Sequence, residues 1–216
     1  PFIQMGSDIQ RSKSLDRDSY DSGDWFNRVD WSYGDSTYSN NFGVGLPVSA
    51  KNSARWAIMT PLLNKTALDP APVNAQAGAA HLREILRIRK SSPLFRLTTE
   101  ADANARVFFY NTDNSKDALI VMALSDEPSP DLDANYEALL TFFNANKISQ
   151  SYTVPGAAGL GFTLHPVHTD GVDDDRSGEV VKRSAHRPGE PAVFAGQSVA
   201  ELAPRHGFDQ RIHKAH

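Results

Sequence analysis

The feature that most restricts the fold of this chain is the stretch from Ser7 to about Ala50, which has no hydrophobic period. An apolar tetrad, Phe2 to Met5, precedes it, and helix-like sequence follows. Ordinary connections run about 4–6 residues, and aperiodic stretches of this length are either functional or disordered. Trp25, Phe26, Trp31, Tyr33, Tyr38 and Phe42 give it more aromatic content than disordered segments carry, so it reads as an ordered loop of active-site type. Its rings lie among carboxylates, guanidinium groups and amides, densest from Arg11 through Asp16-Arg17 and Tyr20 to Trp25-Phe26-Asn27, and again at Asn40-Asn41. A pyranose ring rests its apolar C–H face on Trp or Tyr and offers equatorial hydroxyls to Asp, Arg and Asn. The loop therefore reads as one wall of a carbohydrate site.

The flanks give the loop a frame. Phe2 to Met5, ended by Gly6, has the length and composition of a buried strand. Ala54 to Asn64 reads as a short helix or turn. From Asn74, placed as N-cap, Ala79, Leu82, Ile85, Leu86 and Ile88 recur at helical spacing with arginines between them, which predicts a helix to Lys90 with one stripe packed inward. The helix stops there because Ser91-Ser92-Pro93 disfavours helical geometry before the proline. After Leu97 the texture changes to short apolar runs over 106–111, 118–124, 138–144, 150–154 and 161–167, bounded by Asp, Asn, Pro or Gly. That pattern predicts an antiparallel sandwich and a domain boundary near residue 98. Beyond about Asp173 the alternation fades, and 176–216 reads as a loosely held tail.

Composition excludes several classes. The net charge of −4 among 216 residues argues against a nucleic-acid footprint. With no cysteine there is neither a disulfide frame nor a thiolate metal site. No apolar run reaches about 18 residues, so no membrane-spanning helix is expected. There is no Gly-x-Ser-x-Gly elbow and no Gly-x-x-x-x-Gly-Lys-Ser/Thr phosphate loop. The chain opens on Pro1-Phe2-Ile3 without Met, in strand-like sequence, which reads as a cut through a larger protein.

Asp16 with Asp24 has the residue types of a glycosidase pair, but loop spacing fixes no carboxylate separation. Solvated or substrate-binding roles are the better reading. Asp16-Arg17 as sugar-hydroxyl contacts stands beside a local ion pair that holds the loop, a kind of interaction that contributes little when exposed. Tyr20 and Trp25 are read as stacking platforms or loop anchors, with the anchor favoured for Trp25. His165, His168, Asp170 and Asp173 to Asp175 match no metal-ligand spacing, so no metal is assigned.

At this level of detail the sequence resembles a known family. The run Pro1 to Asp8, the run Arg11 to Asn27, Asn40-Asn41-Phe42-Gly43-Val44-Gly45-Leu46-Pro47, Leu82 to Arg96 and Gly161 to Val167 together resemble the pullulanase and limit dextrinase group of the α-amylase superfamily. The likeness covers about residues 1 to 170. It implies the C-terminal part of an α-1,6-glucosidase acting on pullulan, starch or glycogen dextrins with retention of configuration. The implied fold is α/β plus all-β. Residues 1–97 would end a (β/α)8 barrel, with Phe2 to Met5 as strand 8, the long loop facing substrate and 74–90 as the last helix. Residues 98–175 would form an antiparallel C-terminal β-sandwich, and 176–216 a divergent tail.

By the same resemblance, the nucleophilic Asp, the acid/base Glu and the third catalytic Asp lie upstream of Pro1, so this chain carries no catalytic residue. Asp16 and Arg17 are the implied contacts to glucosyl hydroxyls, while Tyr20, Trp25 and Asn27 shape or line the site. The implied partners are an α-glucan and the rest of the chain's own barrel, with no nucleic acid and no membrane. No cofactor is implied, and a calcium ion would have no ligands that can be placed here. Two alternatives remain at this point. One is a stand-alone carbohydrate-binding module, whose strands show only Tyr110 and Tyr152 as an aromatic row. The other is a gene fragment whose apolar faces stay in water.

Overall fold

In the computed structural model, which describes residues 2–113, 115–146, 148–157, 160–169, 192–194 and 197–202, the chain divides into two compact units, Pro1–Arg83 and Glu84–His216. In the first unit the long segment is irregular but built. It carries single 3-10 turns at Ser7–Ile9 and Asp24–Asn27 and leads into helices α1 (Ser49–Asn52) and α2 (Trp56–Leu63). Ile9, Tyr38, Ala75 and Ala79 form its buried cluster, flanked by Val29 and Tyr33. The expected strand over Phe2–Met5 is not formed. A strand exists only with ladder partners, none of the described residues pairs with it, and Phe2, Ile3 and Met5 are exposed.

Helix α3 runs Pro72–Ser91 and so begins before the expected cap. Pro72 supplies a preset helical φ and no orphan N–H, which suits the first turn, and Asn74 lies inside the helix instead of capping it. Ala75, Ala79 and Ile88 are buried, but Ile85 and Leu86 of the expected inward stripe keep 36% and 42% of their surface exposed. Gly78 has a steric cause. A Cβ there would sit 2.5 Å from the backbone oxygen of Asp8, so only glycine lets the helix approach the start of the loop. The helix ends where expected: Ser92 is extended before Pro93 and its Oγ accepts the Leu94 N–H at 3.1 Å.

The second unit is built on central strands that bury side chains on both faces. Strands β1 (Val107–Tyr110), β2 (Leu119–Ser125) and β3 (Ala138–Asn144) pair antiparallel in sequence order. Tyr110, Leu119, Val121, Ala123, Leu140 and Phe142 point to one buried face and pack with Val154. Leu124 and Leu139 point to the other face and meet Leu94. Strand β4 is Gln150–Tyr152 and β5 is Thr163–Leu164. The expected strand over 161–167 is cut short because Pro166 cannot donate to a ladder; it opens α5 (Pro166–Thr169) instead. Within the tail set apart in the sequence, Ala192–Phe194 (β6) pairs with β4 and Gln197–Leu202 (β7) lies between β3 and β5. The rest of that tail, and Asp170 and Asp173 to Asp175, lie outside the described residues. The described strands thus make a five-stranded antiparallel sheet, β1-β2-β3-β7-β5, and a two-stranded one, β4-β6.

Two features of this unit were not read from the sequence. Helix α4 (Glu100–Arg106) precedes β1, capped by Thr99, whose Oγ1 accepts the Asp102 N–H at 3.0 Å. Its last residue, Arg106, is buried. One guanidinium nitrogen donates to Asp126 Oδ1 at 2.5 Å and the other to the carbonyls of Pro128 and Pro130, tying down the β2–β3 connection. The exposed aromatics also differ from expectation. Tyr110 is buried, and the Tyr152 hydroxyl accepts the Asn111 N–H at 2.9 Å, whereas Phe109, Ile120 and Phe143 are exposed.

Candidate functional site

The loop closes on itself through amides and hydroxyls near its two ends. Asn40 and Asn41 sit at φ 43 and φ 63, the left-handed region that asparagine tolerates best after glycine. Asn40 Nδ2 donates to the Gln10 carbonyl at 2.9 Å, and the Asn40 carbonyl accepts the Ser12 N–H at 2.8 Å. Asn41 Nδ2 donates to the Arg28 carbonyl. Ser14, fully buried, donates to the Asn41 carbonyl and accepts the Val44 N–H, both at 3.0 Å. These bonds give a segment without regular structure a defined course, with its buried polar groups paired.

Asp16 lies inside this frame, only 7% exposed. Its Oδ2 accepts the Ser22 hydroxyl at 2.7 Å and its Oδ1 accepts Asn52 Nδ2 at 2.9 Å. Burial pushes its carboxyl up, but the hydrogen bonds from Ser22 and Asn52 outweigh it and hold the group below the usual carboxylate range. Arg17 is exposed. Its backbone N–H donates to Asn52 Oδ1 at 3.1 Å, and Nη1 reaches the Lys51 carbonyl at 3.4 Å. Tyr20 is 89% exposed, with its backbone N–H on Asp18 Oδ1 at 3.1 Å.

Trp25 is tethered but not buried. Its Nε1 donates to the Val44 carbonyl at 3.2 Å, an anchor, yet 60% of the residue remains exposed, and the Arg28 guanidinium lies 6.0 Å from the ring centroid. Asn27 is exposed; its Nδ2 donates to the Gly23 carbonyl at 3.4 Å and its own carbonyl accepts Arg11 Nη1 at 2.8 Å. Asp16 and Arg17 are thus brought together on one amide, while Tyr20, Trp25 and Asn27 stand on separate turns of the same loop.

Sequence reasoning passed over Asn52 and Asp30. Asp30 Oδ1 accepts the Ser32 N–H at 2.9 Å and its hydroxyl at 2.5 Å, and Oδ2 accepts the Ser39 N–H and hydroxyl at 3.0 and 3.2 Å. The Ser32 hydroxyl is the main reason its carboxyl falls to about 2. The Asp-x-Ser spacing of an Asx turn carried that signal. An open cavity of about 370 Å³ lies beside Asp30 and Trp31, lined also by Arg28, Ser32, Thr37 and Ser39. For the links from Asn52 to Arg17 and Asp16 no local signal existed, because those partners are 35 and 36 positions away. Among the described residues no three His, Cys, Asp or Glu side chains gather as metal ligands, and no helix is long and apolar enough to cross a membrane.

Comparison with known proteins agrees with the resemblance in the sequence. The family model described as "Alpha-1,6-glucosidases, pullulanase-type, C-terminal" matches residues 37–194. The chain is 42% identical over 192 residues to the chloroplastic pullulanase 1 of Arabidopsis thaliana, covering 86% of this chain and 19% of that protein. It is 39% identical over 147 residues to the pullulanase of Klebsiella pneumoniae, covering 67% and 13%. The crystal structure of apo pullulanase from Klebsiella pneumoniae superposes with a TM-score of 0.77 at 31% identity, over 94% of this chain and 21% of that one. The complex of that pullulanase with maltotriose gives the same TM-score over 94% and 19%.

The class these matches define is a pullulanase-type C-terminal region. The chain belongs to the pullulanase-type α-1,6-glucosidase C-terminal family. It spans about a fifth or less of the length of the curated relatives it matches.

Proposed function

We propose that this chain is the C-terminal part of a pullulanase-type debranching enzyme that hydrolyses α-1,6-glucosidic bonds of pullulan, starch or glycogen dextrins with retention. Residues 1–97 complete the (β/α)8 barrel in this reading. The loop after Phe2–Met5 faces the glucan, and 98–175 form the C-terminal β-sandwich together with β6 and β7 from the 176–216 segment, whose sequence matches the family model as far as residue 194. A lone strand 8 has no ladder partner, which accounts for the coil and the exposed apolar side chains at Phe2, Ile3 and Met5. Asp16 and Arg17 contact glucosyl hydroxyls, and Tyr20, Trp25 and Asn27 shape or line the same wall. No cofactor enters this reading, and a calcium ion has no ligands assigned.

Retaining hydrolysis needs a nucleophilic carboxylate and a proton donor on opposite sides of the scissile bond. The family's nucleophilic Asp, acid/base Glu and third Asp belong to barrel loops preceding this region, so the chain alone is inactive. The observation that carries this reading is the family match over 37–194 together with the small share of each pullulanase that the chain spans. An assay of the isolated chain on pullulan tests it. No maltotriose is expected, and measurable release would place catalytic groups within these residues.

One observation favours a second reading, a glucan-binding role for the sheet unit. Ile120 and Phe143 are directly opposed on β2 and β3, Phe109 is diagonal to Ile120 on β1, and all three are exposed. Electrophoresis of the chain through a starch gel decides it. Retardation abolished by Phe109→Ala and Phe143→Ala supports binding there, and unretarded migration rejects it.

A further inference from the structure

Asn52 closes helix α1 and has no exposed surface, so it cannot touch a ligand in this arrangement. Its amide is nevertheless used in three directions. Nδ2 donates to Asp16 Oδ1 at 2.9 Å and to the Val48 carbonyl at 3.0 Å, and Oδ1 accepts the Arg17 backbone N–H at 3.1 Å. The orientation of the amide follows from its partners, since a carboxylate and a carbonyl only accept and a backbone N–H only donates. The bond to Val48 fixes the amide to its own turn. One planar group therefore sets both the Asp16 carboxylate and the Arg17 backbone, and Ser22 holds the other Asp16 oxygen at 2.7 Å.

We propose that Asn52 is a positioning residue for glucan binding, which holds Asp16 and Arg17 as one preorganised pair through its side-chain amide. The inference rests on the reading of Asp16 and Arg17 as glucan contacts. Hydrogen-bonding sites are effective when supporting groups restrict the first contacts to the productive geometry, and a contact residue left to rotate loses affinity to the ordering it must undergo on binding. Asn52 does this from a different element, 36 positions from Asp16. Asp cannot replace it, because a carboxylate at the Nδ2 position would face the Asp16 carboxylate with no donor between them.

The test uses the full-length enzyme that contains this region, with pullulan as substrate and thermal midpoints recorded alongside. Asn52→Ala and the near-isosteric Asn52→Asp are each expected to raise KM about tenfold, the loss associated with one hydrogen bond to a charged group, with a smaller change in kcat. In an Asp16→Ala/Arg17→Ala background the same Asn52 changes should raise KM less than about twofold, since both contacts through which Asn52 acts are then gone and the effects are not additive. If Asn52→Ala does not accumulate as folded protein, Asn52→Asp carries the test. A lowered thermal midpoint with unchanged KM in the folded variants would reduce Asn52 to a structural role and overturn the inference, as would a full tenfold effect in the Asp16→Ala/Arg17→Ala background. Failure of the underlying reading looks different: Asp16→Ala and Arg17→Ala would themselves leave KM unchanged.

Discussion

Asp126→Ala is expected to destabilise the sheet unit by about 3–5 kcal/mol, the range seen when one partner of a buried ion pair is removed. Arg106 is 1% exposed and donates to Asp126 Oδ1 at 2.5 Å, so truncating the carboxylate leaves a buried guanidinium with only the partly exposed Asp102, 3.5 Å from Nε, as counter-charge. The same carboxylate accepts the backbone N–H groups of Leu132 and Asp133, at 3.0 and 2.6 Å to Oδ2. Those donors would lose their partner as well. Replacing both residues together, Arg106→Leu with Asp126→Ala, should cost less than Asp126→Ala alone because no charge is then stranded. Denaturant unfolding followed by circular dichroism reads both numbers. A single substitution within about 1 kcal/mol of the parent would show that the pair does not carry the β2–β3 connection.

Stability of the sheet unit is expected to fall as pH drops from about 6.5 to about 4, with His165 as one source. Burial, and to a smaller extent the neighbouring His168, lowers this imidazole to about 4. The geometry gives a second reason. Nδ1 accepts the Val167 N–H at 3.2 Å, so Nε2 is the nitrogen that donates to Ser91 Oγ at 2.9 Å, and that hydroxyl donates to the Ile88 carbonyl at 2.7 Å. Protonating Nδ1 would set N–H against N–H.

Because the folded value lies below the unfolded one, the unfolded state binds the extra proton between the two, and stability decreases as pH falls through that window. A shift of this size corresponds to at most about 3 kcal/mol, fully present above pH about 6.5 and lost by about 4. His165→Gln, which keeps a donor and an acceptor but does not titrate, should flatten the stability profile in that window. An unchanged profile, or a His165 proton resonance titrating near 6.5, would refute the assignment.

The helices and the hairpin strands were legible because their causes are local. The apolar spacing from Ala79 to Ile88, the stop at Ser91-Ser92-Pro93 and the short apolar run over 138–144 all depend on neighbours within a few residues, and each element appears where the sequence placed it, within a few positions. Phe2–Met5 is coil here and the strand expected over 161–167 is shortened, each for want of a ladder partner or donor. Apolar composition allows a strand but does not supply the partner that makes one, and Pro166 removes a donor. Tyr110 and Phe109 show the limit on faces. They are adjacent, so the register with β2 alone decides which of them is buried.

For the candidate site, the sequence by itself determined the residue types and the loop that carries them. Aromatic rings, carboxylates and amides without a period do not carry the pattern of a helix or strand, and their chemistry suits a carbohydrate, with a glucan implied only by the family resemblance. Its motifs also pointed to the family to which the chain belongs. Only the tertiary structure decided that Asp16 is buried and doubly hydrogen-bonded, that Trp25 is both anchored and exposed, and that Asn52 holds Asp16 and Arg17 together. A hydrogen bond between residues 36 apart depends on the path of everything between them, and no property of either residue encodes that path.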